Sequence, residues 1–250
     1  MTNPDFVLST AEFDLVWSAL GLGRIPHPLE VPSLGATMEE RAELADEVFR
    51  SLARRGLATG RELDPRLVDL LRLLVEHDTS VDVIGHRDRP ILALAAVARR
   101  SGVLAELDGN ELRLTEIRPT SLAMSAVGVL PPCEQGQQRA ISIPADALTK
   151  ALAEDADDPF GGDVDEDVAL VKAGLSPQDA ATVLELANNR RAGGQFGVSR
   201  GTRRATTLVT WFDTHQGRYL MVKQGEWLSI APADNQRIEH RLADVVSAVA

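Results

Sequence analysis

Apolar positions along the chain switch several times between the helical and the strand period. Phe6 to Leu8 is β-like, and behind it Phe13, Val16, Trp17 and Leu20 recur at helical spacing. Ser9, with Glu12 three residues on, forms a capping box at the start of that helix, and Gly21 and Gly23 stop it. Pro26, Pro28 and Pro32 surround an extended stretch, Leu29 to Val31. Thr37 and Glu40 make a second capping box. The helix behind them carries Ala45, Val48, Phe49 and Leu52 on one stripe and ends near Gly56. Asp64 caps a third helix, with Pro65 pre-set at its first position and Leu67, Leu70, Leu71 and Leu74 on its buried face.

A strand-rich block follows: Val81 to Ile84, Ile91 to Ala98, Val103 to Leu107 and Leu112 to Ile117, with Asp108-Gly109-Asn110 as a hairpin turn. Ser121 to Leu130 reads as a helix ended by Pro131 and Pro132, and the polar stretch 133–139 as the seam of the molecule. Beyond it the order of elements repeats. Ala140 to Ile143 is a strand, Asp146 to Glu154 a helix, and an acidic loop leads to a helix from about Asp165 to Ala173. Ser176, Pro177 and Asp179 start another helix with Ala180, Val183, Leu184 and Ala187 inward, and Gly193 and Gly194 end it. Strands come next at Gln195 to Val198, Thr206 to Phe212, Arg218 to Lys223 and Trp227 to Ala231. Pro232 and Asp234 open a last helix with Ile238, Leu242, Val245, Val246 and Val249 on one side. Both halves thus read strand, helices, strand meander, helix. The expectation is an α/β (α+β) chain in which a pseudo-two-fold repeat, halves about 1–132 and 140–250, forms one domain over 1–250. Its halves share a central antiparallel sheet flanked by helical bundles, because a half of this size has too few strands to cover both sheet faces alone.

Composition narrows the function classes. The chain has 26 basic and 37 acidic residues among 250, a formal net charge of −11, which repels polyanions and argues against a general nucleic-acid binder. The apolar fraction of 44% excludes a disordered chain. The lone Cys133 excludes an intramolecular disulfide and fits a reducing compartment. No apolar stretch is long enough to cross a bilayer, and Met1 to Asp5 shows no signal-peptide pattern, so a cytoplasmic location is expected.

Candidate chemistry is sparse. Gly197-Val198-Ser199-Arg200-Gly201 matches the nucleophile-elbow letters, and Asp213 followed by His215 or His240 keeps the hydrolase order. An elbow needs a helix after its serine. Thr206 to Phe212 has strand composition instead, so the glycines are read as strand-end flexibility. Asp163, Asp165 and Asp167 begin an EF-hand-like spacing, but Val168 and Gly174 stand where glycine and glutamate are needed, so the acidic run reads as a solvated loop or an electrostatic rim beside a partner site. His27, His77, His86, His215 and His240 have no ligand spacing, and no metal site is expected. Gly21-Leu22-Gly23 lacks a third glycine and follows a helix, which dismisses a dinucleotide loop. Arg190, Arg191, Arg200, Arg203 and Arg204 form the one basic cluster, read as a solvated hairpin or as a patch for an acidic protein surface.

Several stretches, taken in order, resemble the EspG family, the ESX (type VII) secretion-associated proteins of actinobacteria. They are Phe13 to Leu20 with Trp17, Pro26 to Arg41 through Val31-Pro32-Ser33, and Asp64-Pro65-Arg66-Leu67. Gly217-Arg218-Tyr219-Leu220 and Gly225-Glu226-Trp227-Leu228 follow, leading through Ala231-Pro232-Ala233-Asp234 to the closing helix. The resemblance implies a cytosolic chaperone that binds a PE–PPE heterodimer at the tip of the PPE helical bundle, keeps that apolar tip from aggregating and delivers the pair to its secretion machine. It implies no catalytic residue, cofactor, nucleic acid or membrane insertion, and it leaves a homodimer of the free protein open. By resemblance the partner lies across the sheet face, an early loop and the C-terminal bundle. On this chain these are Gly85 to Pro90 with His86, Arg87, Asp88 and Arg89, about Asp165 to Arg191, and exposed strand residues Thr207, Val209, Trp211 and Tyr219. The plainer reading makes Trp211 and Tyr219 packed core and Arg87 and Arg89 solvated turn charges. A serine hydrolase using Ser199 and a small-molecule-binding regulatory domain are the rival readings.

Overall fold

The computed structural model describes residues 3–146 and 166–249. The acidic run that precedes residue 166, and all but the first residue of the helix expected over Asp146 to Glu154, lie outside them.

Short strand β1 (Phe6–Ser9) turns directly into helix α1 (Thr10–Ala19) through the expected capping box. The Ser9 hydroxyl accepts from the Glu12 amide, and the Glu12 carboxylate accepts from the Ser9 amide. Helix α2 (Met38–Arg54) starts at Thr37, whose hydroxyl accepts from the Glu40 amide. The returning carboxylate of Glu40 binds Ala36 instead of the cap residue, so this box is displaced by one position. A two-residue hairpin absent from the sequence reading, β2 (Ala58–Thr59) and β3 (Glu62–Leu63), leads to α3 (Pro65–Leu73), capped by Asp64. The meander follows as β4 (Thr79–Arg87), β5 (Arg89–Ala98), β6 (Ser101–Asp108) and β7 (Glu111–Glu116), then α4 (Leu122–Gly128). The remainder is β8 (Ile141–Pro144), α5 (Glu166–Lys172), α6 (Pro177–Asn188), β9 (Ala192–Arg200), β10 (Arg203–Arg204), β11 (Val209–Thr214), β12 (Gly217–Gln224), β13 (Trp227–Pro232) and α7 (Asn235–Ala248).

One antiparallel sheet runs in the order β1-β7-β6-β5-β4-β9-β11-β12-β13-β8, with β10 continuing the ladder along β9. This is a mixed α+β fold built on a large antiparallel sheet, as expected. Apolar clusters lie on both faces. On one face, Leu94, Ala96, Val103 and Leu112 carry α1, α2 and α3, with Trp17 and Phe13 packed edge to face at 5.4 Å. The same face farther along, Phe212, Tyr219 and Ile230, carries α5 and α6. The opposite face, with Val81, Val83, Phe196, Val198, Trp211 and Leu220, is covered by α4 and α7.

Two local expectations are corrected. Gly193 and Gly194 do not end α6; they lie inside β9, where a Cβ on Gly194 would collide with the Ile84 carbonyl and crowd the Trp211 indole. On α6 Ala180 and Val183 point inward with Leu184 half-buried against the same cluster, as expected, but the stripe continues through Leu186 and leaves Ala187 exposed.

Candidate functional site

The β4–β5 hairpin closes through a single residue, Asp88, held at φ 50° between the paired Arg87 and Arg89. Aspartate tolerates that left-handed conformation better than most side chains. Two ion pairs hold the tip: Arg89 with Asp108 at the β6–β7 turn, and Arg87 with Asp213 of β11 at 4.0 Å. Asp213 is itself the anchor of a buried cluster. Its carboxylate accepts from Arg218 Nε at 2.7 Å and from Nη2 at 2.9 Å, and the Arg218 side chain has no exposed surface. Arg218 Nη1 donates to the Pro131 carbonyl at 3.1 Å and to Asn235, and the guanidinium lies 4.9 Å from the Trp211 ring. Cys133 sits beside this cluster; burial and the nearby Asp213 charge raise its thiol pKa, only partly opposed by Arg218 and Arg87, so it is a poor nucleophile.

Alternation puts Ser80, Asp82 and Ile84 of β4 on the face that carries α1–α3 and α5–α6. Their partners Ser199, Gly197 and Gln195 on β9, and Thr210 on β11, point the same way. None of these residues belongs to an apolar cluster. Apart from Ile84 they form a strip of small or polar residues between the two groups of helices. Arg204 lies along it, donating to Asp82 Oδ1 at 2.7 Å and Oδ2 at 3.0 Å, and the absence of a side chain at Gly197 leaves room for that guanidinium. The Asp82 hydrogen bond raises the Arg204 pKa more than desolvation lowers it, so the guanidinium stays charged. His86 continues the strip to the hairpin.

The expected site residues divide. His86, Arg87, Asp88 and Arg89 are exposed together at the hairpin. Thr207 is half-buried in the break between β10 and β11, toward the opposite end of the sheet. Val209, Trp211 and Tyr219 were expected as exposed and are fully buried. Val209 and Trp211 pack under α4 and α7, and Tyr219 stacks on Phe212 at 5.3 Å on the other face. Helices cover the sheet over each of these three side chains, so none of them is free. The sequence cluster of arginines is also divided. Arg190 and Arg191 precede β9 at the hairpin end, whereas Arg200, Arg203 and Arg204 lie past it, about 30 Å away at the strand rise per residue. Ser199 sits within β9, paired with Ser80 and Arg204, and the chain turns at Gly201 into β10 rather than into a helix. That is not a nucleophile elbow, and His215 lies at the other end of the sheet, bound to Arg191 at 2.7 Å.

The arrangement is therefore a shaped surface with paired charges. The EspG family model matches residues 9–244. The chain belongs to the EspG family. Among solved structures, this EspG-family chain is similar to the Mycobacterium tuberculosis type VII secretion system chaperone EspG5, determined in complex with a PE25–PPE41 dimer. The likeness has a TM-score of 0.76 and covers 98% of this chain and 96% of that one, at 14% identity. At that identity it is a likeness of fold. No curated protein matches the chain. Three features of this chain were not foreseen from its sequence: the Asp82–Arg204 pair, Gln195 on the strip, and the Arg218–Asp213 cluster. Asp82 stands alone among valines in β4, a buried-carboxylate signal visible in the sequence, but its partner lies far along the chain and carries no local mark.

Proposed function

We propose that this EspG protein is a chaperone that binds a PE–PPE heterodimer through its PPE subunit, keeps the pair soluble and directs it to type VII secretion. One observation carries the proposal: a chain of this family, alike in fold over nearly its whole length to EspG5, whose determined structure includes a PE25–PPE41 dimer. The partner's helical tip docks along the strip of β4, β9 and β11, between α5–α6 and the hairpin residues His86, Arg87, Asp88 and Arg89. Small and polar groups there allow close approach of a helix end, and the hairpin charges discriminate among partners. Val209, Trp211 and Tyr219 take no part, since they are core.

The protein performs no reaction, uses no cofactor and acts in the cytoplasm; among the described residues no helix is long and apolar enough to cross a membrane. Its halves, about 1–132 and 140–250, are pseudo-two-fold related and fold as one domain, with a helical bundle on each half. The strand order supports this: β1-β7-β6-β5-β4 is matched in reverse by β9-β11-β12-β13-β8, and a helix follows each meander.

Co-expression with each PE–PPE pair encoded nearby, followed by size exclusion, tests the reading. The expected result is a stable 1:1:1 complex with one pair. Elution of this chain by itself beside every folded pair would overturn it.

A further inference from the structure

The end of the sheet remote from the hairpin is rich in unpaired positive charge. Many other arginines of this molecule sit against carboxylates, as in Arg41–Asp14, Arg55–Glu12 and Arg89–Asp108. At the turns β5–β6 and β9–β10, Arg99, Arg100, Arg200 and Arg203 make no side-chain hydrogen bond or ion pair among the described residues. Arg241 of α7 joins them, equally without a partner, and its Nε is shut off from solvent with no acceptor in reach.

Arg241 and Arg203 open onto one cleft of about 580 Å³, between the C-terminal half of α7 and the break that separates β10 from β11. Its apolar lining comes from Val245, Val249 and Ala205, and the exposed Leu208 follows in the same break. Arg204 also borders it but is neutralised by Asp82, and Asp244 is the one carboxylate in the lining. The cleft thus couples two free guanidiniums to an apolar lining, in a protein whose net charge is −11.

We infer that this cleft is a second docking site, which binds an acidic peptide segment of a partner protein, its carboxylates on Arg203 and Arg241 and an adjacent aliphatic side chain against Val245 and Val249. Guanidinium forks suit carboxylates, and an apolar lining favours a peptide over a bare polyanion. The lining holds no aromatic ring on which bases could stack, and a concave cleft on an acidic protein does not suit a flat anionic bilayer. The site lies at the opposite end of the sheet from the hairpin, with Arg204 bordering both it and the strip.

The test is fluorescence anisotropy of a labelled oligo-glutamate peptide carrying two leucines, with a glycine–serine peptide, a single-stranded oligonucleotide and phosphatidylserine vesicles as parallel probes. Saturable, salt-sensitive binding of the acidic peptide is expected, weakened by roughly tenfold or more in Arg203→Gln/Arg241→Gln. Arg54→Gln, exposed on α2, and Arg89→Glu, at the hairpin, should both bind as wild type does. Equal circular-dichroism melting of the variants verifies that folding is preserved, and Arg241→Lys supplies a milder substitution if the double variant unfolds. Binding no tighter than that of the glycine–serine peptide overturns the proposal. So does equal loss in Arg89→Glu, or tighter binding of the oligonucleotide or the vesicles.

Discussion

A guanidinium with no exposed surface is tolerable only if its donors are occupied, and Arg218 meets that demand with Asp213, Pro131 and Asn235. Replacing it by Met would leave the Asp213 carboxylate buried with only Arg87, 4.0 Å away, as counter-charge. Arg218→Met is therefore expected to lower the unfolding free energy in urea by about 3–5 kcal/mol, and Arg218→Met/Asp213→Leu to recover most of the loss. A second buried carboxylate gives a pH signature. Burial raises the Asp14 pKa, but the hydrogen bonds from Arg41 and the Leu34 amide outweigh it, so the carboxyl is held below its ordinary value of 3.8. The stabilisation from a depressed acid is complete above the unfolded value and fades as pH falls through the folded one. Urea titrations across the acid range should show stability declining below pH 3.8, more shallowly in Asp14→Asn. At this scale the sequence was readable where a residue acts on its neighbours: Ser9, Asp64, Ser176 and Asp234 all cap as their spacing implies. It was misleading where a strand is covered on both faces. Trp211 meets one helical layer and Phe212 the other, so no polar alternation marks which side is free.

Elements were located well, yet glycines misdirected their ends. Gly193 and Gly194 resemble helix terminators because both roles need the absence of a Cβ, and only the third dimension distinguishes them. The polar stretch 133–139 shows the same limit. Taken from sequence as a seam, it also runs beside β12: Gln135 forms a parallel bridge with Arg218, the Gly136 amide donates to the Arg218 carbonyl, and the Gln138 amide donates to the Tyr219 hydroxyl at 3.1 Å. Gly136 is buried against the Tyr219 ring, and an added Cβ would overlap that ring. Tyr219 is stacked on Phe212 and has no room to retreat. Gly136→Ala should thus cost about 1–3 kcal/mol in urea denaturation, a large effect for one methyl group in a segment that looks like a loop. A larger residue at neighbouring Glu134, which is exposed, should change stability little.

For the whole molecule the deciding contact is the β4–β9 ladder, which joins the proposed halves through eight residue pairs from Thr79–Arg200 to His86–Gly193. Strand order of this kind cannot be read from a sequence, because each half dictates only its own meander. The ladder has an energetic consequence. Val81 and Val83 from the first half share one apolar cluster with Phe196, Val198 and Trp211 from the second, so separating the halves would expose that cluster and two long unpaired strand edges. Unfolding should therefore be one cooperative event rather than two. Tryptophans offer a probe in each part: Trp17 of α1 is buried in the cluster under α1–α3 and Trp211 beneath α4 and α7, while Trp227 is exposed on β13. In Trp17→Phe/Trp227→Phe only Trp211 reports, and in Trp211→Phe/Trp227→Phe only Trp17 does. Within each variant the urea midpoint by fluorescence is expected to coincide with the midpoint by far-ultraviolet circular dichroism. A plateau, or a midpoint for Trp17 displaced from the dichroism curve of its own variant, would mean that the halves unfold independently and that a single domain is the wrong description. Coincidence would also bear on the proposed chaperone role, because a platform proposed to hold an apolar partner without opening its own core needs both halves to stand or fall together.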